Sequence, residues 1–256
     1  LSSKVLSLNI NFLSMRLTYI YHSGFAIEGE NFTIIIDYYR DSDGENDGIV
    51  HDSLLHRAGK LYVLSTHSHS DHFNPEILEW KQHRPDIQYI FSRDILEDRH
   101  VRFDGAVYLS PSELYHDNTL CIQAFGSTDV GCSFLIEVAG KLIFHAGDLN
   151  NWHWKEESTM EESAEYEAAY LHELEILARV TNRFDLVMFP IDPRLGREYM
   201  LGAEQFVCRF AVGCFAPMHF HDQYEKAAAF RSFAEKNGSL FIGWSFPGET
   251  VELPDY

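Results

Sequence analysis

The chain has 256 residues, 45% of them hydrophobic and 14% aromatic, which is enough to build a sizeable core and matches an ordinary globular composition. Its formal charge of −19 argues against a nucleic-acid surface, because neutralising phosphates needs clustered Lys and Arg; small anionic substrates stay open, since these can meet the local charge of a metal instead. No apolar run reaches membrane-span length, no apolar segment with a cleavage site follows Lys4, and Cys121, Cys132, Cys208 and Cys214 form no C-x-x-C pair, so we expect a cytoplasmic protein with reduced thiols and no membrane partner.

Residues 1–14 read as an upstream extension, with Met15 opening a single domain that runs over 15–256. Leu17, Tyr19 and Tyr21 alternate and Ile34, Ile35 and Ile36 form a continuous apolar run, which predicts two or three strands of a meander over 16–37. Residues 41–48 are a polar, Gly-rich loop. Its acids are expected to be a solvated turn and not a calcium loop, because Asp52 stands where a bidentate Glu would be needed. A strand over 61–65, a short helix over 75–82, a strand over 87–91 and a helical turn near 94–98 follow. Strands at 107–109, 120–125, 133–138 and 141–145 are assigned to a second sheet, with Ala139 and Gly140 in a tight turn. The longest helix is expected over 159–180, capped by Ser158 with Glu161, and presenting Met160, Ala164, Ala168, Leu171, Leu174 and Leu177 as its apolar face. A strand at 185–190, a helix near 202–211, a strand at 214–217, a helix near 223–236 and a strand at 239–242 complete the chain. The order suggests two packed sheets with helices outside, an α/β four-layer αββα sandwich.

The densest chemistry lies in Thr66-His67-Ser68-His69-Ser70-Asp71-His72-Phe73, three imidazoles and a carboxylate on the loop leaving a buried strand. Residues two apart in an extended segment point the same way, so His67 and His69 can approach one ion together, while Asp71 and His72 can serve a second. Neutral imidazole and carboxylate suit Zn(II), Fe(II) or Mn(II).

This H-x-H-x-D-H pattern after a strand resembles the signature of the metallo-β-lactamase superfamily. The opening Tyr21-His22-Ser23-Gly24-Phe25-Ala26-Ile27-Glu28 with Thr33–Asp37 is similar to that family's first hairpin, Phe144-His145-Ala146-Gly147-Asp148 to its second-half motif, and Pro217-Met218-His219 to its last ligand. Within the superfamily the chain is most similar to the ascorbate-6-phosphate lactonase-like branch of metal-dependent hydrolases. The resemblance implies one or two Zn2+ ions, with Mn2+ or Fe2+ as alternatives, held by His67, His69, Asp71, His72, Asp148 and His219. Asp148 would bridge the two ions, and His221 competes with His219 for its place. The family usually carries a further His where this chain has Ser127, which would leave the first ion with His67, His69 and Asp148 unless Asp129 or His153 steps in. Asp37 is expected to orient a ligating His, and His145 to be structural. His22 is read as either pocket-lining or structural, and Arg194 as either a substrate grip or a surface salt bridge.

The function implied is hydrolysis of a small, in some cases anionic, ester, lactone or phosphoester by a metal-bridging hydroxide, with Asp71 and Asp148 as the catalytic carboxylates. The alternatives are a phosphodiesterase or nuclease-like member, a di-iron redox enzyme with a flavin partner, and a non-catalytic metal-binding protein with a degenerate first site.

Overall fold

Side-chain alternation decides which core each residue of the first strands enters. Leu17, Tyr19, Phe25, Ile27, Ile34 and Ile36 belong to one apolar cluster, and Ile20, Ala26 and Ile35 to another. A sheet covered on both faces explains the unbroken isoleucine run. The computed structural model describes residues 15–44, 47–99 and 103–254; the extension expected at residues 1–14 lies outside these.

The elements in chain order are β1 (Arg16–Tyr21), β2 (Gly24–Glu28), β3 (Phe32–Ile36), α1 (Ile49–Asp52), β4 (Lys60–Ser65), a 3-10 helix (Pro75–Gln82), β5 (Gln88–Ser92), α2 (Arg93–Arg99), β6 (Ala106–Leu109), β7 (Leu114–His116), β8 (Leu120–Phe125), β9 (Ser133–Val138) and β10 (Lys141–His145). They continue with α3 (Met160–Ala178), β11 (Arg183–Pro190), α4 (Leu201–Arg209), β12 (Ala211–Met218), α5 (Tyr224–Ala228), α6 (Arg231–Lys236), β13 (Leu240–Phe241) and β14 (Thr250–Glu252). Two seven-stranded sheets form, ordered β14-β1-β2-β3-β4-β5-β6 and β13-β12-β11-β10-β9-β8-β7. Each is antiparallel in one half and parallel in the other: β3 to β6 run parallel in the first sheet, and β10 to β13 in the second. The larger cluster joins the facing sides of the sheets to Tyr170 and Leu174 of α3, Phe206 of α4 and Phe230. Val50, Ile77, Trp80 and Ile95 cover the outer face of the first sheet. This is the expected four-layer αββα sandwich.

Four local expectations change. Strand β6 pairs parallel with β5 and so lies in the first sheet, because the helical crossover through α2 returns the chain beside β5. Strands β7 and β14 gave too little apolar signal to be read; β14 returns to pair with β1, Leu17 opposite Val251. The cap of α3 is one residue later than expected. Thr159 accepts from the Glu162 amide, and the Glu162 side chain reaches back to the Thr159 amide. The buried face is accordingly Ser163, Tyr170, Leu174 and Leu177, while Met160 is 92% exposed and Leu171 42%. The helix expected over 223–236 is two short helices with buried Phe230 between them. In the 41–48 loop, the Asp41 carboxylate accepts from the amides of Ser42, Val50 and His51 at 2.7–3.0 Å, so it caps the start of α1.

The face of α3 yields a direct check. Leu174→Ala should cost about 2–5 kcal/mol in denaturant unfolding, while Met160→Ala should stay within about 0.5 kcal/mol of the parent. The reverse ranking would contradict this register.

Candidate metal centre

The candidate side chains gather where strands end. Asp37 follows β3, residues 67–72 follow β4, Asp148 follows β10, Asp192 follows β11 and His219 follows β12. Carboxyl ends of parallel strands are where α/β sheets place ligands. His22 joins them from the turn between β1 and β2.

Two groups of donors result. His67, His69, Asp129 and Asp148 form one; His22, Asp71, His72 and His219 form the other, and within each the donor atoms lie within 4.8 Å of one another. Asp148 stands between them. Its Oδ2 is 3.5 Å from His67 Nε2, and its Oδ1 is 3.1 Å from His72 Nε2 and 3.5 Å from His219 Nε2. His22 Nε2, His67 Nε2, His72 Nε2 and Asp148 Oδ1 are buried with no hydrogen-bond partner. Orphaned polar atoms at one point are costly unless something satisfies them, and imidazole nitrogen with carboxylate oxygen is the donor set that Zn(II), Mn(II) and Fe(II) take. The residues therefore fit a metal centre.

Outer partners aim the rings. Asp37 Oδ2 is 2.8 Å from His72 Nδ1, and Asp37 also accepts from Thr66 N and Thr66 Oγ1, both at 2.7 Å. Asp192 Oδ2 is 2.9 Å from His219 Nδ1. A carboxylate on Nδ1–H leaves Nε2 free to donate to an ion. Electrostatics follow the same layout. Burial disfavours charge on His72, but Asp148 and Asp37 outweigh it and raise its pKa well above the usual value. Burial opposes charge on His219 too, yet Asp148 and Asp192 push it up to about 9. Burial lowers His67 to about 3 and His22 to about 4. Burial would raise Asp148, but His72 and His219 hold it well below the carboxylate range. Burial would raise Asp71 too, but the imidazoles of His22, His72 and His219 around it override burial and lower its pKa.

The backbone is strained here. His22, Asp37, His219 and His221 have φ between 50° and 61°, four of the seven non-glycine positive-φ residues among those described. Such conformations cost about 1 kcal/mol or more each and persist where surrounding contacts impose them. The His22 amide donates to Tyr19 Oη at 2.9 Å, and the His22 carbonyl accepts from the His219 amide at 3.2 Å. Gly131, at φ 77°, runs so close over the 66–67 backbone that a Cβ would sit 2.2 Å from Thr66 O. The Cys132 amide donates to that same oxygen at 2.9 Å, which clamps the Asp129 loop against the metal loop.

The other candidates separate cleanly. Asp129 Oδ2 is 3.5 Å from His69 Nδ1. His153 is engaged elsewhere, with Nε2 3.1 Å from Glu198 O and Nδ1 accepting the Lys155 amide, so it does not join the centre. Ser127 accepts from the Asp129 amide at 3.3 Å, on the loop that carries Asp129. Nε and one terminal nitrogen of Arg194 grip Asp192, which makes Arg194 a brace behind His219. His145 has both ring nitrogens satisfied, by Ser23 O and the Gly147 amide. Asp192 was not singled out from sequence; its signal was an Asp directly after a strand and before Pro193. His221 groups with Asp192 and His219, and not with Asp148.

The raised pKa of His219 makes the metal-free protein sensitive to alkaline pH. Its stabilising contribution is complete below about 6.5, the unfolded value, and is lost as pH rises through about 9. His67 and His22 work in the opposite sense and only below about 6.5. We expect the unfolding temperature of metal-free protein to fall between pH ~6.5 and ~9.5, and metal loading near neutrality to release protons into weakly buffered solution. Loading without proton release would contradict this account.

Residues 16–165 match the family described as the beta-lactamase superfamily domain. A metal-dependent hydrolase of Pelotomaculum thermopropionicum is 22% identical over 258 residues, covering 93% of this chain and all of the relative. Among solved structures, a metallo hydrolase from the archaeon Ignicoccus hospitalis superimposes with a TM-score of 0.67 at 19% identity, covering 95% of this chain and all of that one. CmlA, a diiron β-hydroxylase from Streptomyces venezuelae, gives 0.64 at 15% identity over 94% of this chain and 54% of that one. The two structures share the fold, and the family match spans more than half of the sequence: the chain belongs to the beta-lactamase superfamily.

Proposed function

We propose that this chain is a metal-dependent hydrolase acting on a small ester, lactone or phosphoester, anionic substrates included. The observation that carries the reading is Asp148, one carboxylate whose two oxygens face two separate imidazole groups. His67, His69, Asp129 and Asp148 would hold one ion, and His22, Asp71, His72 and His219 the other, zinc being the first choice and manganese or iron the alternatives. When bound, such ions supply Lewis acidity and lower the pKa of water toward neutrality.

The protein's own groups do the rest. Asp71 is the partly exposed carboxylate of its group and stays ionised, so it can orient an attacking water by accepting its hydrogen bond. Asp148 fixes the spacing of the two halves. Trp152, whose Nε1 donates to the Asp148 carbonyl at 2.8 Å, and half-exposed Tyr39 form aromatic walls near His219 and His22. No described helix is long and apolar enough to cross a membrane. None of the four cysteines is paired in a disulfide, which accords with a reducing compartment, and we read the site of action as cytoplasmic and the substrate as a small molecule.

The test compares metal-stripped and reloaded protein on a panel of carboxylic esters, lactones and phosphodiesters. Hydrolysis should require metal. His67→Ala should lower both metal content and kcat/KM by at least about 100-fold, since losing an outer partner alone costs 10–100-fold in such sites, while the circular dichroism spectrum is kept. Full activity in that variant would sink the assignment. Turnover of lactones would favour the ascorbate-6-phosphate lactonase-like branch, and turnover of phosphodiesters alone the phosphodiesterase alternative. Metal binding without turnover would favour a non-catalytic role. Reductant-dependent oxygen uptake would favour an oxidative reaction instead, as the name of the diiron relative suggests.

A further inference from the structure

The two halves of the centre are not equivalent in donor chemistry. Counting the shared Asp148 on both sides, His22, Asp71, His72 and His219 give one half three nitrogens and two oxygens, whereas His67, His69 and Asp129 give the other two of each. We propose that His22 and Asp129 make the centre selective for two different metals: a borderline ion such as Zn(II) in the imidazole-rich half, and a harder ion, Mn(II) or Fe(II), in the carboxylate-rich half. The inference rests on the metal-binding reading above and deepens it.

His22 is built as a donor. It is 1% exposed, its Nε2 is buried without a hydrogen-bond partner, and its ring centroid lies 4.2 Å from that of His219. Nε2 points toward Asp71, with Oδ2 3.3 Å away. His145 is the useful contrast, an equally buried histidine of this same region whose two ring nitrogens are both satisfied by backbone groups. The αL backbone of His22 is sustained by the Tyr19 hydroxyl and the His219 amide, so the strain is maintained where it aims this ring inward.

Asp129 is built as the counterpart. It faces His69, while His67 Nε2 is buried and unpartnered on the same side. Its loop is pinned at both ends. Thr128 Oγ1 donates to Asn150 O at 2.6 Å and accepts from the Asn150 amide at 3.0 Å, and the Cys132 amide donates to Thr66 O. The loop is thereby tied to both chain segments that carry the other donors. Zn(II) outranks Mn(II) at any nitrogen–oxygen site, but a smaller share of imidazole narrows that gap. The two halves should therefore differ in how strongly they prefer zinc.

The experiment uses the full chain, stripped of metal, then given one equivalent of Zn(II) and an excess of Mn(II), desalted, and read by elemental analysis and by the electron paramagnetic resonance of Mn(II). The parent should retain one zinc and one manganese, with the spectrum of an isolated Mn(II) ion. Asp129→His should convert the second half to a zinc site and lower manganese retention about tenfold; His22→Gln should weaken zinc binding about tenfold and leave manganese retention unchanged. Asp129 is partly exposed, so its variant carries the test if His22→Gln does not fold. A parent that binds metal while neither variant alters the zinc-to-manganese ratio overturns the proposal and leaves the metal reading standing. A parent that binds neither ion overturns the metal reading itself.

Discussion

The centre depends on a single buried carboxylate being shared. Asp148 has one oxygen toward His67 and the other toward His72 and His219, three imidazoles from loops after β4 and β12. A buried carboxylate is tolerable only when it is compensated, and here the compensation comes from positive or metal-binding partners on both sides. The sandwich supplies what that demands. Parallel halves of the two sheets bring their carboxyl ends together, so donors far apart in sequence arrive at one edge of the apolar core.

Around that carboxylate, rigidity is obtained by local expense. Four αL residues, several orphaned ring nitrogens and a glycine pressed against backbone would not persist on a free loop. They persist because each is tied to an element that cannot move. Asp37 is fixed by Thr66, Asp192 by Arg194, and the Asp129 loop by Thr66 and Asn150. Preorganised donors lose little freedom on meeting an ion, which is how a loop-built site reaches the precision that metal geometry requires.

Sequence periodicity carried the sandwich because the strands are either alternating or continuously apolar, and the metal loop announced itself by spacing alone. What stayed illegible has physical causes. Ser158 and Thr159 are equal as caps, with Glu161 and Glu162 equally placed, so only tertiary packing of Tyr170 and Leu174 chooses the register of α3. The sheet that β6 joins is decided by a crossover, not by its own residues. The choice between Asp129 and His153 depends on how two loops fold back, and His153 is taken by Glu198 and Lys155. The hairpin that carries His22 was legible in Tyr21–Glu28, but whether its ring lines the site is decided by Tyr19 and His219, and Asp192 lies at a strand end where sequence pointed to Arg194.

The Tyr19 hydroxyl holds the His22 amide, and Tyr19 itself is stacked on Trp244, paired with Glu249 through its own amide and with Gly248 through its carbonyl. Close by, Thr18 meets Thr250 across 232 positions of chain. During synthesis the first hairpin emerges early, yet the tyrosine that sets its histidine lacks these supports until residues 244–250 have left the ribosome. Contacts of such long range form late, since loop closure precedes their reward. The backbone that aims His22 therefore acquires its support only with the return of β14 to β1.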